Sequence, residues 1–378
     1  MFPEVIKLSV IIVNYNVRHF LEQTLRSTMQ AISSMEETVE VIVVDNNSPD
    51  DSVEMVKAEF PEIQLVARKD NPGFSVANND GIERSKGQYV LLLNPDTVVA
   101  EDTFSKVIAF MDEHSDCGGL GVKMVDGQGI FLPESKRGLP TPFVAFCKMT
   151  GLSRLFAKSA RFNRYHLGFL PSNETNKIEV LSGAFMAMRK VALDKVGLLD
   201  ETFFMYGEDI DLSYRLIKGG YKNYYLANTT IIHYKGESTK KGSLNYVKVF
   251  YNAMIIFAQK HFAGSQSWLY TSFIRLGIYL RALMSLLFRW FGKVLPVATD
   301  VVMMFGGLLW LKNMYANNIK GASNYYDENF LMVNVPIYIF LWLMSVFFSG
   351  GFDRPFRLWS LIRGLILGTI LISAVYGF

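Results

Sequence analysis

The sequence predicts an α/β domain with a mostly parallel sheet and flanking helices, followed by an α-helical membrane domain. Three observations point there. Short β-branched runs alternate with segments of helical period as far as His114, the pattern of a parallel sheet with right-handed crossovers. Polar residues stand where successive strands stop, at Asn14, Asp45 and Asp96. Charged and apolar residues are mixed as far as Gly264, whereas Leu, Ile, Phe, Met and Trp dominate from Trp268 onward.

Each element follows from its own residues. Leu8 to Val13 is a β-branched run broken by Asn14-Tyr15-Asn16. Phe20, Leu21, Thr24, Leu25 and Thr28 recur at helical spacing. Val39 to Val44 is a second buried strand, ending in Asp45-Asn46-Asn47-Ser48. Asp51 with Glu54 resembles a capping box opening a helix to Phe60. Ile63 to Ala67 is a short strand, and Asp70-Asn71-Pro72-Gly73 is a turn. A helix from Ser75 to Ser85 ends at Lys86-Gly87, with Gly87 expected as the C′ residue. Tyr89 to Leu93 is a central strand halted by Pro95, which cannot donate to a ladder. It delivers Asp96 to the carboxyl edge of the sheet, where ligands of open α/β sheets bind. A helix from Asp102 to His114 follows.

From Gly118 to Thr175 the pattern is irregular. Pro133, Gly138, Pro140 and Pro142 surround Lys136 and Arg137. This basic loop either lies over phosphates or is solvated, and the solvated reading is preferred. Ile178 to Met188 reads as one strand containing Leu181-Ser182-Gly183-Ala184. The block Phe203 to Leu212 places Glu208 and Asp209 behind Gly207 at a helix N-terminus, where the dipole favours carboxylates. Glu208, Asp209 and Asp211 are more acids than capping needs. Ile231-Ile232-His233 ends a further strand with an imidazole. Asp96, His233 and the Glu208-Asp209 pair make a candidate metal and general-base constellation.

Composition excludes other classes. A net charge of +3 is too small to argue for nucleic acid. Cys117 and Cys147 lack metal-ligand spacing and fit a reducing compartment. No G-x-G-x-x-G follows the first strand, which argues against a dinucleotide fold. Met1 to Asn16 has no basic n-region or cleavage site, so the N-terminal domain is expected to stay in the cytoplasm.

Residues 7 to about 240 resemble the inverting family 2 glycosyltransferases of the GT-A nucleotide-diphospho-sugar transferase fold, and most of all the rhamnosyltransferase-like members. Ser9 to Asn16 is similar to the family's first strand, and Val43 to Ser48 to its base-binding segment. Asn71-Pro72-Gly73-Phe74 through Gly81 resembles N-x-G…A-x-N-x-G. Asn94-Pro95-Asp96 stands where the family has D-x-D, with its first acid replaced by Asn94, which can bind sugar or ribose hydroxyls. Tyr206-Gly207-Glu208-Asp209 resembles its E-D motif. The resemblance implies that Asp45 recognises the base and that Asn14, Asn71, Asn79 and Asn94 line the nucleotide-sugar pocket. It further implies that Asp96 and His233 hold Mg²⁺ or Mn²⁺ on the diphosphate. Asp209 would be the general base, with Glu208 beside it in the acceptor site.

The expected organisation is a GT-A domain over residues 1–264, an interfacial or re-entrant helix over 265–293, and membrane spans near 294–311, 331–349 and 364–378. Arg275, Arg281 and Arg289 are costly in hydrocarbon, which sets Trp268 to Trp290 apart from the spans. With the enzyme inside, the loop carrying Arg354, Arg357 and Arg363 lies inside too, obeying the positive-inside rule. The expected function is transfer from a dTDP- or UDP-sugar to a lipid-linked saccharide acceptor in cell-surface polysaccharide synthesis. The expected site of action is the cytoplasmic face of a bacterial inner membrane. Membrane lipids are partners, and the apolar span faces suit a homo-oligomer. The rival readings are a polyprenyl-phosphate glycosyltransferase, whose anionic acceptor needs no base, a processive synthase, for which there are too few spans, and a catalytically silent membrane scaffold.

Overall fold

The computed structural model describes residues 5–234, 244–262, 264–322, 325–327, 329–353 and 357–376. Its first half alternates as the periodicities require: β1 (Leu8–Asn14), α1 (Arg18–Ser33), β2 (Val39–Asp45), α2 (Ser52–Glu59), β3 (Gln64–Ala67), α3 (Phe74–Arg84), β4 (Tyr89–Leu93), β5 (Thr97–Val98) and α4 (Thr103–Glu113). Then come β6 (Cys117–Val125), α5 (Pro142–Met149), α6 (Leu152–Leu155), β7 (Asn176–Ile178), β8 (Phe185–Arg189), α7 (Lys190–Val196), α8 (Glu208–Lys218), β9 (Lys222–His233) and α9 (Leu244–His261).

The strands form one sheet in the order β3-β2-β1-β4-β8-β6-β9-β5, with β7 also on β9. The β3-β2-β1-β4 ladder is parallel, as is β6 with β9, while β8 runs antiparallel to β4 and β6. This is the mostly parallel, helix-flanked sheet expected of the GT-A fold. Period-two alternation along β1 splits its side chains between two cores. Leu8, Val10 and Ile12 pack with Leu21 and Leu25 of α1 and Phe104 of α4. Ile11 and Val13 pack with Ala77 and Ile82 of α3 and Leu212 and Leu216 of α8. A one-residue slip would exchange the two sets, so the register is strongly specified.

Several expectations need correction. The stretch from Gly118 to Thr175 is not irregular throughout, because β6 crosses the middle of the sheet between β8 and β9. Its three glycines hid it: a Cβ on Gly119 would stand 2.5 Å from Leu181. The run from Ile178 to Met188 is two strands, β7 and β8, parted by a turn at Leu181 to Ala184. Asp51 precedes α2 without a side-chain cap, and its carboxylate pairs with Arg18 at 3.2 Å instead. Gly87 is not a left-handed C′ residue; it is small because a Cβ there would sit 2.6 Å from the Ser9 nitrogen.

The chain divides into two units, Met1–Ile278 and Tyr279–Phe378. The second continues α10 (Gly264–Met314, with Pro296 inside) and adds α11 (Val335–Phe348) and α12 (Leu358–Tyr376). The boundary expected at 293/294 falls within α10. Three stretches, Trp290–Ile319, Phe330–Phe348 and Leu358–Val375, are long and apolar enough to cross a membrane. Glu328, Arg354 and Phe378, which enter the expected loop charges and last span, lie outside the described residues.

Candidate active site

The strand ends build the site in order. Asn14 closes β1 and Asp45 closes β2, directly opposite each other in register. Both are buried. Asn14 Nδ2 donates to Asp45 Oδ2 at 2.8 Å and to Ser48 Oγ at 3.1 Å. Asp45 also accepts from the Ser48 N–H at 2.8 Å and the Ser48 hydroxyl at 2.7 Å. Three of its roughly four lone-pair sites are therefore in use. Neither residue lines the adjoining cavity of about 460 Å³, whose wall here is Tyr15 and Asn46.

Loop 70–75 forms the next wall. Asn71 lines the cavity and accepts the Gly73 N–H at 3.2 Å. Asn46 Nδ2 donates to the Gly73 carbonyl at 3.2 Å. Gly73 is left-handed at φ +99, and a Cβ on it would lie 2.6 Å from the Phe204 carbonyl oxygen. That closeness lets Phe74 N–H bond Phe204 O at 2.8 Å and Ser75 Oγ donate to Phe203 O at 2.7 Å. Loop 70–75 is thereby strapped to the loop that precedes α8. Asn79 does not reach the cavity. Its amide accepts from Leu199 N–H and donates to Leu199 O and Glu201, so it holds the loop before α8.

Beyond β4, the Asn94-Pro95-Asp96 turn is gripped by α1. Thr24 Oγ1 lies 2.7 Å from both the Pro95 and Thr97 carbonyls and donates its one hydrogen to one of them. β5 then pairs Thr97 with His233. Asp96 and His233, 137 positions apart in the chain, come together with Asp96 Oδ1 3.3 Å from His233 Nε2. Both line the cavity with Asn94. Two cis ligands at about 2.1 Å from an octahedral cation stand about 3 Å apart, so this pair fits one divalent ion. Among the described residues no third His, Cys, Asp or Glu joins them. Such an ion would take its remaining oxygens from a ligand and water, as cations on diphosphates do. The buried His233 Nδ1 has no hydrogen-bond partner among the described residues.

The acidic end lines the same cavity. Tyr206 and Gly207 are both left-handed, at φ +68 and +89, and turn the chain sharply into α8. Glu208 and Asp209 open that helix, buried and lining the cavity. The Gly183 N–H donates to Asp209 Oδ2 at 3.3 Å, so the turn that broke the expected strand holds a carboxylate. The guanidinium of Arg137 donates to the same oxygen and to Leu181 O. Arg137 is thus no solvated loop residue: its side chain is 12% exposed. Burial alone would weaken its hold on a proton, but the charges of Asp209 and Tyr165 outweigh it and raise its pKa. Burial, and then the neighbouring Asp209 charge, push the Glu208 carboxyl up to about 8. Glu208 Oε2 has no hydrogen-bond partner among the described residues. Asp211, the third acid, is structural: it is fully buried against Arg215, Lys260 and His261.

Sequence reasoning missed Arg137 because its partner lies 72 positions away and nothing local marks it. Asn46 was visible only as part of a strand-end cluster.

The family model for glycosyl transferase family 2 matches residues 9–197. The chain is 26% identical over 268 residues to an N-acetylglucosaminyl-diphospho-decaprenol L-rhamnosyltransferase of Mycobacterium tuberculosis, covering 68% of this chain and 85% of that one. It is 27% identical to the low-salt glycan biosynthesis hexosyltransferase Agl10 of Haloferax volcanii, covering 55% and 61%. The solved structure of TarS from S. aureus aligns with a TM-score of 0.47 at 16% identity, over 87% of this chain and 48% of that one. The chain thus spans about half the length of that structure.

Proposed function

The chain belongs to glycosyl transferase family 2, and from that premise we propose that it is an inverting, metal-dependent hexosyltransferase with a lipid-linked saccharide acceptor. The observation that carries the reading is the cavity itself. It is lined both by Asp209, salt-bridged to Arg137, and by the Asp96–His233 pair.

In this reading residues 1–264 are the catalytic domain. Asn46, Asn71 and Asn94, which line the cavity, meet the nucleotide and sugar, and Asp45 behind them holds Asn14 and Ser48 in place. The acceptor hydroxyl oxygen bonds to the anomeric carbon while the bond from that carbon to the diphosphate oxygen breaks, its electron pair leaving with the nucleotide. The hydroxyl proton passes to Asp209, whose position Arg137 and Gly183 hold. Glu208, a neutral carboxylic acid below pH about 8, donates a hydrogen bond to the acceptor. A divalent cation, Mg²⁺ or Mn²⁺, held by Asp96 and His233 would neutralise charge on the leaving diphosphate. The mycobacterial relative carries a rhamnosyltransferase name with a diphospho-decaprenol acceptor, which supports dTDP-rhamnose as first donor to try, with UDP-hexoses next. The three apolar helices support a multi-pass membrane protein acting at the cytoplasmic face of a bacterial inner membrane.

The test is nucleotide release in detergent from a panel of UDP-, GDP- and dTDP-sugars with Mg²⁺ or Mn²⁺, with EDTA as control. Release that depends on one donor and on metal is expected. Failure of every nucleotide to bind by calorimetry would sink the reading.

A further inference from the structure

Behind the Arg137 loop lies a second cavity of about 820 Å³. Residues 133–137 wall both: Glu134 and Arg137 line the first, Pro133 and Lys136 the second. The second is lined by Lys136, Lys148, Arg154, Lys158 and His166, and by no Asp or Glu. The local chain explains the excess. From Lys136 to Asn173 there are seven Lys and Arg and no acid, in a protein whose net charge is only +3.

Among the described residues, only Arg137 and Arg164 of these seven make an ion pair. The buried Lys136 Nζ donates to the carbonyls of Leu167 at 2.8 Å and Leu170 at 2.6 Å. Burial holds its pKa below the ordinary value. Lys148 Nζ sits 3.4 Å from the Tyr165 ring centroid. Arg154 and Lys158 make no ion pair among the described residues. Like charges in a concave, partly dry site focus a field that favours an anion. Leu155, Phe156 and Phe169 are exposed on the same segment. Exposed aromatic and aliphatic side chains beside Lys and Arg are the composition of a lipid-facing surface.

We propose that this groove binds the phosphate or diphosphate of the lipid that carries the acceptor, with the lipid chain along Leu155 and Phe156. The proposal rests on the lipid-linked acceptor of the preceding section and gives it a place. The 133–137 wall then separates the lipid phosphate from the reacting hydroxyl.

The full chain in detergent is titrated with farnesyl diphosphate, inorganic diphosphate and farnesol, each with and without saturating nucleotide. Farnesyl diphosphate should bind at least about tenfold more tightly than either of the others, since it alone offers both charge and chain. Nucleotide should not displace it. The double variant Arg154→Glu/Lys158→Glu should weaken it by about tenfold or more, and Arg154→Lys/Lys158→Arg should restore it, which a folding defect would not do. Equal binding of farnesol, equal binding of inorganic diphosphate, displacement by nucleotide, or indifference to charge reversal would each overturn the groove. Nucleotide binding by the wild type, measured alone, separates the two readings. Its loss would count against the donor site and leave the groove result standing.

Discussion

At the scale of single residues, the acidic pair divides its work by surroundings. Asp209 has a cation and an N–H on one oxygen, while Glu208 has a buried oxygen without a hydrogen-bond partner among the described residues. Asp209→Asn should abolish transfer while nucleotide binding persists, and full activity would remove the base assignment. Arg137→Ala should lower kcat by about a hundredfold with a smaller change in KM, because misplacing a base costs rate more than binding. Arg137→Lys should recover part of the loss. Glu208 binds a proton in the fold that the unfolded chain releases near 4.5. Between that value and about 8 the folded state holds more protons, so stability falls as pH rises through this window and levels off above it. Glu208→Gln, a neutral isostere, should flatten that slope in thermal unfolding and keep most activity at pH 7. At the other end, His233→Ala should weaken Mn²⁺ binding, followed by electron paramagnetic resonance, by about tenfold or more. An unchanged affinity would remove His233 from the metal site.

Elements decide how firmly these residues are held. α8 is tied to α9 through Asp211, whose two oxygens meet Arg215, Lys260 and His261. Asp211 is fully buried and its carboxylate pairs the largely buried Arg215 guanidinium, so Asp211→Asn should cost about 3 kcal/mol in denaturant unfolding. The same reasoning applies to close backbone approach in the apolar helices. On α12, Gly364 and Gly368 stand one turn apart and face α11. A Cβ would come within 2.5 Å of the Val346 Cα from Gly364, and within 2.4 Å of Trp342 from Gly368. Trp342 Nε1 also donates to Thr369 Oγ1 at 3.1 Å. Small residues at this spacing let two membrane helices pack closely. Gly364→Leu should lower resistance to SDS unfolding, by about 1–3 kcal/mol for an overpacked contact.

For the whole molecule, the proposed topology predicts which loops an outside reagent reaches. If the first unit is cytoplasmic, residue 322 lies outside and residue 353 inside. An impermeant maleimide should label Ala322→Cys in intact cells and Asp353→Cys only after permeabilisation. The reverse pattern would turn the topology over. Neither natural cysteine should interfere, since Cys117 and Cys147 are buried.

How far these features could be read in advance depended on distance along the chain. The parallel ladder, its helices and the strand-end positions of Asn14, Asp45 and Asp96 are local: period, β-branching and turn residues specify them within a dozen positions. The Glu208-Asp209 pair and the apolar helices are legible for the same reason. β6 was hidden by glycines whose purpose is close packing with residues far away, such as Leu181 and Tyr221. The sequence by itself determined the kind of sheet, the family and which carboxylates stand at its edge. Only the tertiary structure decided that Asn79 staples a loop, that Asp211 anchors a helix, that Arg137 turns inward to Asp209, and that Lys136 beside it faces a separate basic groove. Burial and pairing between distant segments set those roles, and neither is written in any single stretch of the chain.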